Sequence, residues 1–238
     1  MDMMDRLSLF APLDLLAVGV LFGTWWLLGL LIEHPPKRYP SVTVLTFEYR
    51  REWMEQMITR DPRVFDALTM NGLREGTAFF GSGCMIALGG VLALMSNTQS
   101  LDAVAVDLTA SAHPEVLWQI KLLAVAALLT HAFLKFVWAN RLFGYCAITM
   151  AATPNDITDP KAKTRARQSG EIANRAAVNF NRGLRSIYFA LGAAAWMLGA
   201  VPLLVATAVT LGVLWRREFA SQSRAVLLRD AMSSDTPK

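Results

Sequence analysis

The chain has 238 residues, of which 54% are apolar and 18% are charged, and its formal net charge at pH 7 is +4. Soluble domains carry roughly 25% charged residues, so this composition excludes an ordinary soluble protein and favours segments that face lipid. No run of interleaved basic and aromatic residues indicates a nucleic-acid groove. The two cysteines, Cys84 and Cys146, are too few for a disulfide framework and are best explained as small core residues.

The first predicted transmembrane span covers residues 10–32. About 20 residues at about 1.5 Å each cross the hydrocarbon layer, and this apolar run is long enough. It ends at the sequence Glu33-His34-Pro35-Pro36-Lys37-Arg38, where the prolines stop the helix and the charges mark the membrane interface. No basic region precedes the run and no small-residue cleavage site follows it, so we expect this span to remain in the mature protein.

The next segment is polar and carries a helical pattern of its own. Within Val42–Ile58 the apolar residues recur at helical spacing and charged residues fill the other side, which predicts an amphipathic helix on the membrane surface. Asp61-Pro62 is typical of an N-cap followed by the first residue of a helix. We expect that helix to continue into a second span over residues 76–95.

The second half of the chain repeats this arrangement. The third span, residues 116–138, contains Lys121, His131 and Lys135. Asp159-Pro160 again has the pattern of a capped helix start, which predicts a long amphipathic segment leading into a fourth span over residues 187–214. Pro202 lies in the middle of that span and is expected to kink it.

Orientation follows from the distribution of Lys and Arg. Residues 33–74 contain seven, residues 97–116 contain none, and residues 139–182 contain seven. The positive-inside rule then places both basic segments in the cytoplasm, and four spans place both termini in the periplasm of a bacterial inner membrane. Five basic residues in the tail, from Arg216 to Lys238, favour the opposite side for the C-terminus, but they are outnumbered.

A short internal similarity raises the possibility of a repeat. Gly72-Leu73-Arg74 followed by Gly81 matches Gly183-Leu184-Arg185 followed by Gly192. The two explanations are two tandem hairpins related by an axis along the membrane normal, or coincidence in Gly- and Leu-rich sequence.

Two longer motifs resemble a known family. The first is Arg51-x-Trp53-Met54-x-x-Met57-x-x-Arg60-Asp61-x-Arg63-x-x-Asp66, which leads into Phe79-Phe80. The second is Phe180-Asn181-Arg182-Gly183-Leu184-Arg185-x-x-Tyr188-Phe189-Ala190. Over residues 10–217 the chain resembles the four-span membrane proteins called domain of unknown function 599. The resemblance implies the topology and assigns no catalytic residue.

Ionisable residues inside a span are candidate functional residues, because burying a charge in lipid is costly. Lys121 and Lys135 are about 21 Å apart along a helix, so they either bracket the span and reach opposite surfaces or serve a polar site. Asp14, at the depth of Lys121, is expected to form an ion pair with it. His131 lies one turn before Lys135, as a packing histidine or as part of a proton relay.

Three arginines are candidates for a cytoplasmic interface or an anion site, namely Arg74, Arg182 and Arg185. The alternative is contact with anionic lipid headgroups, at about 1 kcal/mol each. The three histidines lie at different depths, which excludes a bis-histidine haem site. Serine hydrolase, zinc and nucleotide motifs are absent from the sequence, so we expect no metal or cofactor.

The sequence therefore predicts an all-α integral membrane protein with four transmembrane helices in two hairpins and cytoplasmic amphipathic helices between the spans of each hairpin. The leading functional hypothesis is a non-enzymatic scaffold or accessory subunit that associates with itself or with a larger membrane complex. The alternative is a small homo-oligomeric channel or transporter for an ion or small anion. A closely packed interior is expected, with Gly81, Gly83, Gly192 and Gly199 at helix contacts.

Overall fold

The computed structural model describes residues 11–97 and 115–234, with side chains described as far as Arg229. The described residues are helical and contain no β-strand. In chain order the helices are α1 (Pro12–Glu33), α2 (Val42–Gln56), α3 (Val64–Ser96), α4 (Glu115–Ala151), α5 (Pro160–Ala194), α6 (Ala200–Phe219) and α7 (Gln222–Ser234). Short 3-10 helices follow α2 at Met57–Thr59 and α5 at Ala195–Leu198.

Within the described residues, four segments are helical, long and apolar enough to cross a membrane. They are Pro12–Glu33, Val64–Ser96, Glu115–Ala151 and Ala200–Arg229. The prediction of an all-α, multi-pass membrane protein is confirmed. Helices α1, α3 and α4 overlap the first three predicted spans, and α3 and α4 extend well beyond theirs because the flanking polar residues continue the same helices.

The fourth predicted span is not one helix. The helix that begins at Pro160 ends at Ala194, and the chain turns at Gly199, whose φ is 117° and ψ is 178°. Residues with a Cβ rarely adopt this backbone conformation, so a glycine allows the break. Pro202 lies in the first turn of α6, where its missing N–H costs nothing, and the predicted kink in mid-helix is therefore wrong.

Asp159 begins α5 as predicted, since its carboxylate accepts a hydrogen bond from Lys161 N at 2.7 Å. Asp61 does not play the same part. Helix α3 begins at Val64, two residues after Pro62, and carries Asp66 in its first turn.

The contacts divide the chain into two compact units. Unit 1 comprises Met1–Gly29, Ser82–Phe133 and Leu184–Leu214. Unit 2 comprises Leu30–Gly81, Leu134–Gly183 and Trp215–Lys238. Several helices contribute a segment to each unit.

In unit 1 the end of α5 packs antiparallel against α6. A Cβ at Gly192 would lie 3.2 Å from Thr210 Oγ1 and 3.8 Å from the Ala206 carbonyl oxygen. Gly199 lies midway between these partners in sequence, so the two helices form a hairpin around it. Gly192 therefore lies at a helix contact as predicted, whereas Gly83 has no neighbouring atom within 4 Å and Gly199 serves the turn.

In unit 2 the apolar side of α2 is covered by protein. Met54, Met57 and Ile58 are buried in a cluster that includes Cys146 of α4 and Ala166 of α5. The Arg51 Cα lies 3.3 Å from the Cβ position of Gly170, so α2 and α5 approach closely. This differs from the predicted helix on the membrane surface, because the same apolar periodicity suits a helix that packs on its neighbours.

Three phenylalanines of unit 2 form a second contact, between α3, α4 and α5. Phe80 stacks on Phe136 with ring centroids 5.6 Å apart, and Phe180 meets Phe136 edge to face at 5.5 Å. Gly183 packs against the same ring, since a Cβ there would lie 2.8–3.0 Å from three Phe136 ring atoms. Gly81 also faces Phe136, at 3.7 Å.

The end of α6 lies beside the start of α2. Glu218 is buried and its carboxylate accepts hydrogen bonds from the Thr43 N–H at 3.2 Å and the Thr43 hydroxyl at 2.9 Å. Arg224 donates to the Pro40 carbonyl at 2.9 Å. The segment that follows α6 therefore packs beside the start of α2, whereas the charge count predicted that the tail lies on the opposite side of the membrane from residues 33–74. The hairpin at Gly199 adds a reversal of direction that the sequence analysis did not include.

Candidate functional site

At the start of α1, Asp14 is held by a tryptophan of unit 1. Trp196 donates its indole N–H to Asp14 Oδ1 at 2.7 Å. The Lys121 ammonium lies over the rings of Trp118 and Trp196, at 4.9 and 5.9 Å from their centroids. Lys121 also experiences the charge of Asp14, although the two described side chains form no ion pair within 4 Å.

The predicted Asp14–Lys121 ion pair is therefore replaced by a bridge through Trp196. Cation–π contacts of this kind contribute about 0.5–2 kcal/mol, more when they are desolvated. Lys121 is 5% exposed, so it does not reach out to a surface as the bracketing hypothesis expects. The arrangement ties the starts of α1 and α4 to the end of α5.

His131 belongs to a separate group in unit 1. Its Nδ1 lies 2.7 Å from the hydroxyl oxygen of Ser186, which is fully buried. Trp25 donates to the same hydroxyl at 3.1 Å, and its ring meets the His131 ring edge to face at 5.0 Å. The three side chains link α1, α4 and α5, so His131 is a packing histidine with satisfied partners.

Arg185, one residue before Ser186, is also buried in unit 1, at 6% exposure. Its guanidinium packs on α1, since Nη2 lies 3.6 Å from the Cβ position of Gly29. Close approach by so large a group is possible here because Gly29 has no side chain. The structure thus places Arg185 in the interior, away from the cytoplasmic interface that the sequence predicted.

Arg182 and Lys135 meet in unit 2 around a single carboxylate. Arg182 donates from both Nε and Nη2 to Glu33 at the end of α1, with an Nε–Oε1 distance of 2.9 Å. These charge-assisted hydrogen bonds raise the pKa of the Arg182 guanidinium above its ordinary value. Lys135 lies within electrostatic range of both groups. The contacts of His131 with Ser186 and Trp25 lie in unit 1, and the groups that act on Lys135, Arg182 and Glu33, lie in unit 2.

Arg74 is exposed and only its contact with Asn140, at 3.5 Å between Nε and Oδ1, joins it to α4. Its counterpart in the proposed repeat, Arg185, is buried. Gly72 has no atom within 4 Å, whereas its counterpart Gly183 is in close contact with Phe136. The matched residues therefore have unlike environments, and coincidence explains the similarity.

The sequence analysis missed a polar group around Asp66 in unit 2. Asp66 is completely buried, and its Oδ1 accepts hydrogen bonds from Trp53 Nε1 at 2.7 Å and from Arg60. Arg63 donates to the carbonyls of Met150, Thr153 and Pro154, at 2.7–3.1 Å, and so caps the end of α4. The first motif of the family resemblance contains Trp53, Arg60, Arg63 and Asp66. The signal available in the sequence was an aspartate that closely follows two arginines.

Among residues 11–97 and 115–234, no three His, Cys, Asp or Glu side chains are grouped as metal ligands. The polar groups of unit 1 connect helices through direct hydrogen bonds and ring contacts. Those of unit 2 combine ion pairs with a cavity beside Asp66.

Comparison with known proteins gave a family and no individual relative. No curated protein and no solved structure matched the chain. The family model described as "Protein of unknown function, DUF599" matches residues 16–223, which is most of the chain. The chain therefore belongs to the DUF599 family.

Proposed function

We propose that this chain is a non-enzymatic, multi-pass protein of the bacterial inner membrane that serves as a scaffold or accessory subunit of a membrane complex. The observation that carries the proposal is the pairing of the polar groups in unit 1. Asp14 bonds to Trp196 and His131 to Ser186, within contacts between helices. A conduction path requires a continuous polar lining with room for water. Polar side chains that are hydrogen-bonded to each other between helices do not supply such a lining.

The proposal includes an orientation. Among the residues that the structure describes, Lys121 and Arg185 are the only Lys or Arg residues outside unit 2. The positive-inside rule then assigns unit 2 to the cytoplasm. Helices α1 and α6 run in the same direction, because Asp14 meets Trp196 near their starts and Thr43 meets Glu218 near their ends. A periplasmic start for α1 thus implies a cytoplasmic C-terminus.

The outward faces of the apolar helices support association within the bilayer. Several large apolar side chains of α1, α3 and α6 are exposed in the isolated chain, including Trp26 at 60%, Phe79 at 74% and Val209 at 60%. These faces are available to lipid, to a second copy or to another membrane protein. Helix packing in lipid gains little from apolar burial alone, so small residues and polar contacts would decide the partner.

The test has two measurements on the purified protein. In liposomes the protein is expected to pass neither K⁺ nor Cl⁻ above the background of empty vesicles. In mild detergent, native mass spectrometry is expected to show a defined assembly, with itself or with a co-purified membrane protein. A His131→Ala variant that retains its fold provides the control for flux.

A saturable flux that His131→Ala abolishes would contradict the scaffold proposal and support the channel or transporter. A protein that is monomeric in every mild detergent and captures no partner would also count against it. The two measurements are independent, so each can fail alone.

A further inference from the structure

A cavity of about 280 Å³ lies in unit 2 between the start of α3 and the end of α4. This is near the lower end of the range of about 300–1,000 Å³ that is common for small-molecule sites. Much of its wall is apolar and sulfur-rich, formed by the buried side chains of Met57, Met70 and Met150. Methionine side chains adapt to irregular apolar ligands. The polar part of the wall contains Asp66, Arg63, Asn71 and Arg74.

Two of the residues that line this cavity each have a buried polar atom without a hydrogen-bond partner among the described residues. One is Asp66 Oδ2, an acceptor, and the other is Arg63 Nε, a donor. Leaving such groups unpaired costs about 1–3 kcal/mol each, and more when they are charged. The other atoms of both side chains are engaged: Asp66 Oδ1 by Trp53 and Arg60, and the Arg63 Nη atoms by carbonyls at the end of α4. A ligand that presents one hydrogen-bond donor and one acceptor would give both unpaired atoms a partner.

The charges of the wall favour an anion. Arg60 forms an ion pair with Asp66 and neutralises its charge. Arg63 and Arg74 form no ion pair with any carboxylate among the described side chains. The wall therefore carries two positive charges without counter-ions, next to one carboxylate oxygen that can accept a hydrogen bond.

A second, more open space lies along α4 next to the cavity. Arg74, Ala147 and Ala151 line both spaces, and Val137, Gly144 and Ile148 of α4 also line the second. The side chains of Val137 and Ile148 are 49% and 66% exposed. Arg74 thus borders both spaces, and the exposed apolar side chains of the second offer a surface to the chain of a ligand whose head group lies in the first.

From these observations we infer that the space between α3 and α4 binds a single-chain amphiphile whose head group carries a hydroxyl beside a carboxylate or phosphate. The hydroxyl donates to Asp66 Oδ2, and the anionic group accepts from Arg63 Nε and faces Arg74. The methionines enclose the first carbons of the chain, and the second space along α4 takes the rest. A free hydroxy acid and a membrane-derived lysophospholipid both have this chemistry. The inference stands apart from the scaffold proposal.

The experiment is isothermal titration calorimetry on the full chain in nanodiscs of zwitterionic lipid, with empty nanodiscs subtracted. The probes are 3-hydroxydecanoate, decanoate, methyl 3-hydroxydecanoate and a lysophosphatidic acid of the same chain length. Decanoate lacks the hydroxyl and the methyl ester lacks the negative charge. We expect 3-hydroxydecanoate to bind about tenfold more tightly than either, which is the effect of one charge-assisted hydrogen bond. Tighter binding of lysophosphatidic acid would assign the phosphate form of the same ligand.

Two variants locate the binding. Ala151→Trp places a large side chain at a residue that lines both spaces, and it is expected to abolish binding of the best probe. Ala152→Trp is the matched control, since Ala152 is exposed, adjacent and outside both walls, and it should bind as the unaltered chain does. Asp66→Asn replaces a charged acceptor by a neutral one, so the preference for the hydroxyl should fall from about tenfold to about threefold.

The inference is overturned if neither anion binds above the empty nanodiscs. It is also overturned if Ala151→Trp binds the probes as tightly as Ala152→Trp does. Both alanine positions are exposed, so these variants test the site even if Asp66→Asn does not fold.

Discussion

At the scale of single residues, the sequence identified the polar side chains better than it identified their partners. Lys121 is buried and Asp14 and His131 are half-buried, and their contacts are with tryptophans and a serine, namely Trp196, Trp118, Trp25 and Ser186. Depth along a helix can be estimated from residue spacing. The direction in which a side chain points across the bundle depends on how the helices pack, and residue spacing along one helix does not determine it.

Gly183 and Gly72 provide a test at this scale, because they occupy matched positions in the short internal similarity. Gly183→Ala places a methyl group within 3.0 Å of the buried Phe136 ring, which has Phe80 and Phe180 against it. We expect a loss of about 1–3 kcal/mol in the free energy of unfolding, as for other overpacked cores. Thermal unfolding in detergent measures it.

Gly72→Ala is the matched control, since nothing lies within 4 Å of the new methyl group. Alanine favours the helix by about 1 kcal/mol over glycine, so this variant should be unchanged or more stable. Equal destabilisation by both substitutions would contradict the packing of Phe136 against Gly183.

At the scale of elements, the long apolar helices were predictable and the ends of elements were not. An apolar run has few structural alternatives to a membrane span, so α1, α3 and α4 were found from hydropathy. The segment from Ile187 to Leu214 is equally apolar, yet it contains a turn at Gly199. A glycine among apolar residues is compatible with either a straight helix or a break. The sequence analysis predicted a kink at Pro202 because proline is the more common cause of a kink.

The turn itself can be tested. Gly199 has φ 117° and ψ 178°, a region that is nearly exclusive to glycine. Gly199→Ala is expected to destabilise the protein by about 1–3 kcal/mol through backbone strain. Gly212→Ala, in the same helix hairpin and without neighbours within 4 Å, is the control and should not destabilise it. A Gly199→Ala protein as stable as the control would show that the chain does not turn there as described.

At the scale of the whole molecule, the class of protein was predictable from composition, and the packing of the C-terminal segment beside the start of α2 was not. Counting charges gave the correct grouping of residues 33–74 with residues 139–182, both of which belong to unit 2. The tail belongs with them, as its own basic residues indicated. The proposed orientation follows from that grouping, with the N-terminus periplasmic and the C-terminus cytoplasmic.

Cysteine labelling of intact cells tests this orientation in a background without Cys84 and Cys146. The labelled positions are exposed in the described structure, so a reagent can reach them. Cysteines at Gln168 and Ser223 are expected to react with a membrane-impermeant maleimide only after permeabilisation. A cysteine at Ser96 is expected to react in intact cells. Labelling of Ser223→Cys from outside, with Gln168→Cys protected, would contradict the shared side of the tail and α5.

The hairpin at Gly199 also limits how this chain can evolve by duplication. A protein whose ends lie on the same side of the membrane can be fused directly to a second copy with both copies in the same orientation. In the proposed orientation, however, the first copy ends in the cytoplasm and the second must begin in the periplasm, so the fusion needs one additional crossing between them. Without it the second copy would insert upside down, with its basic unit outside, against the positive-inside rule. Symmetric pairs of this fold are therefore most directly built from separate chains that insert independently.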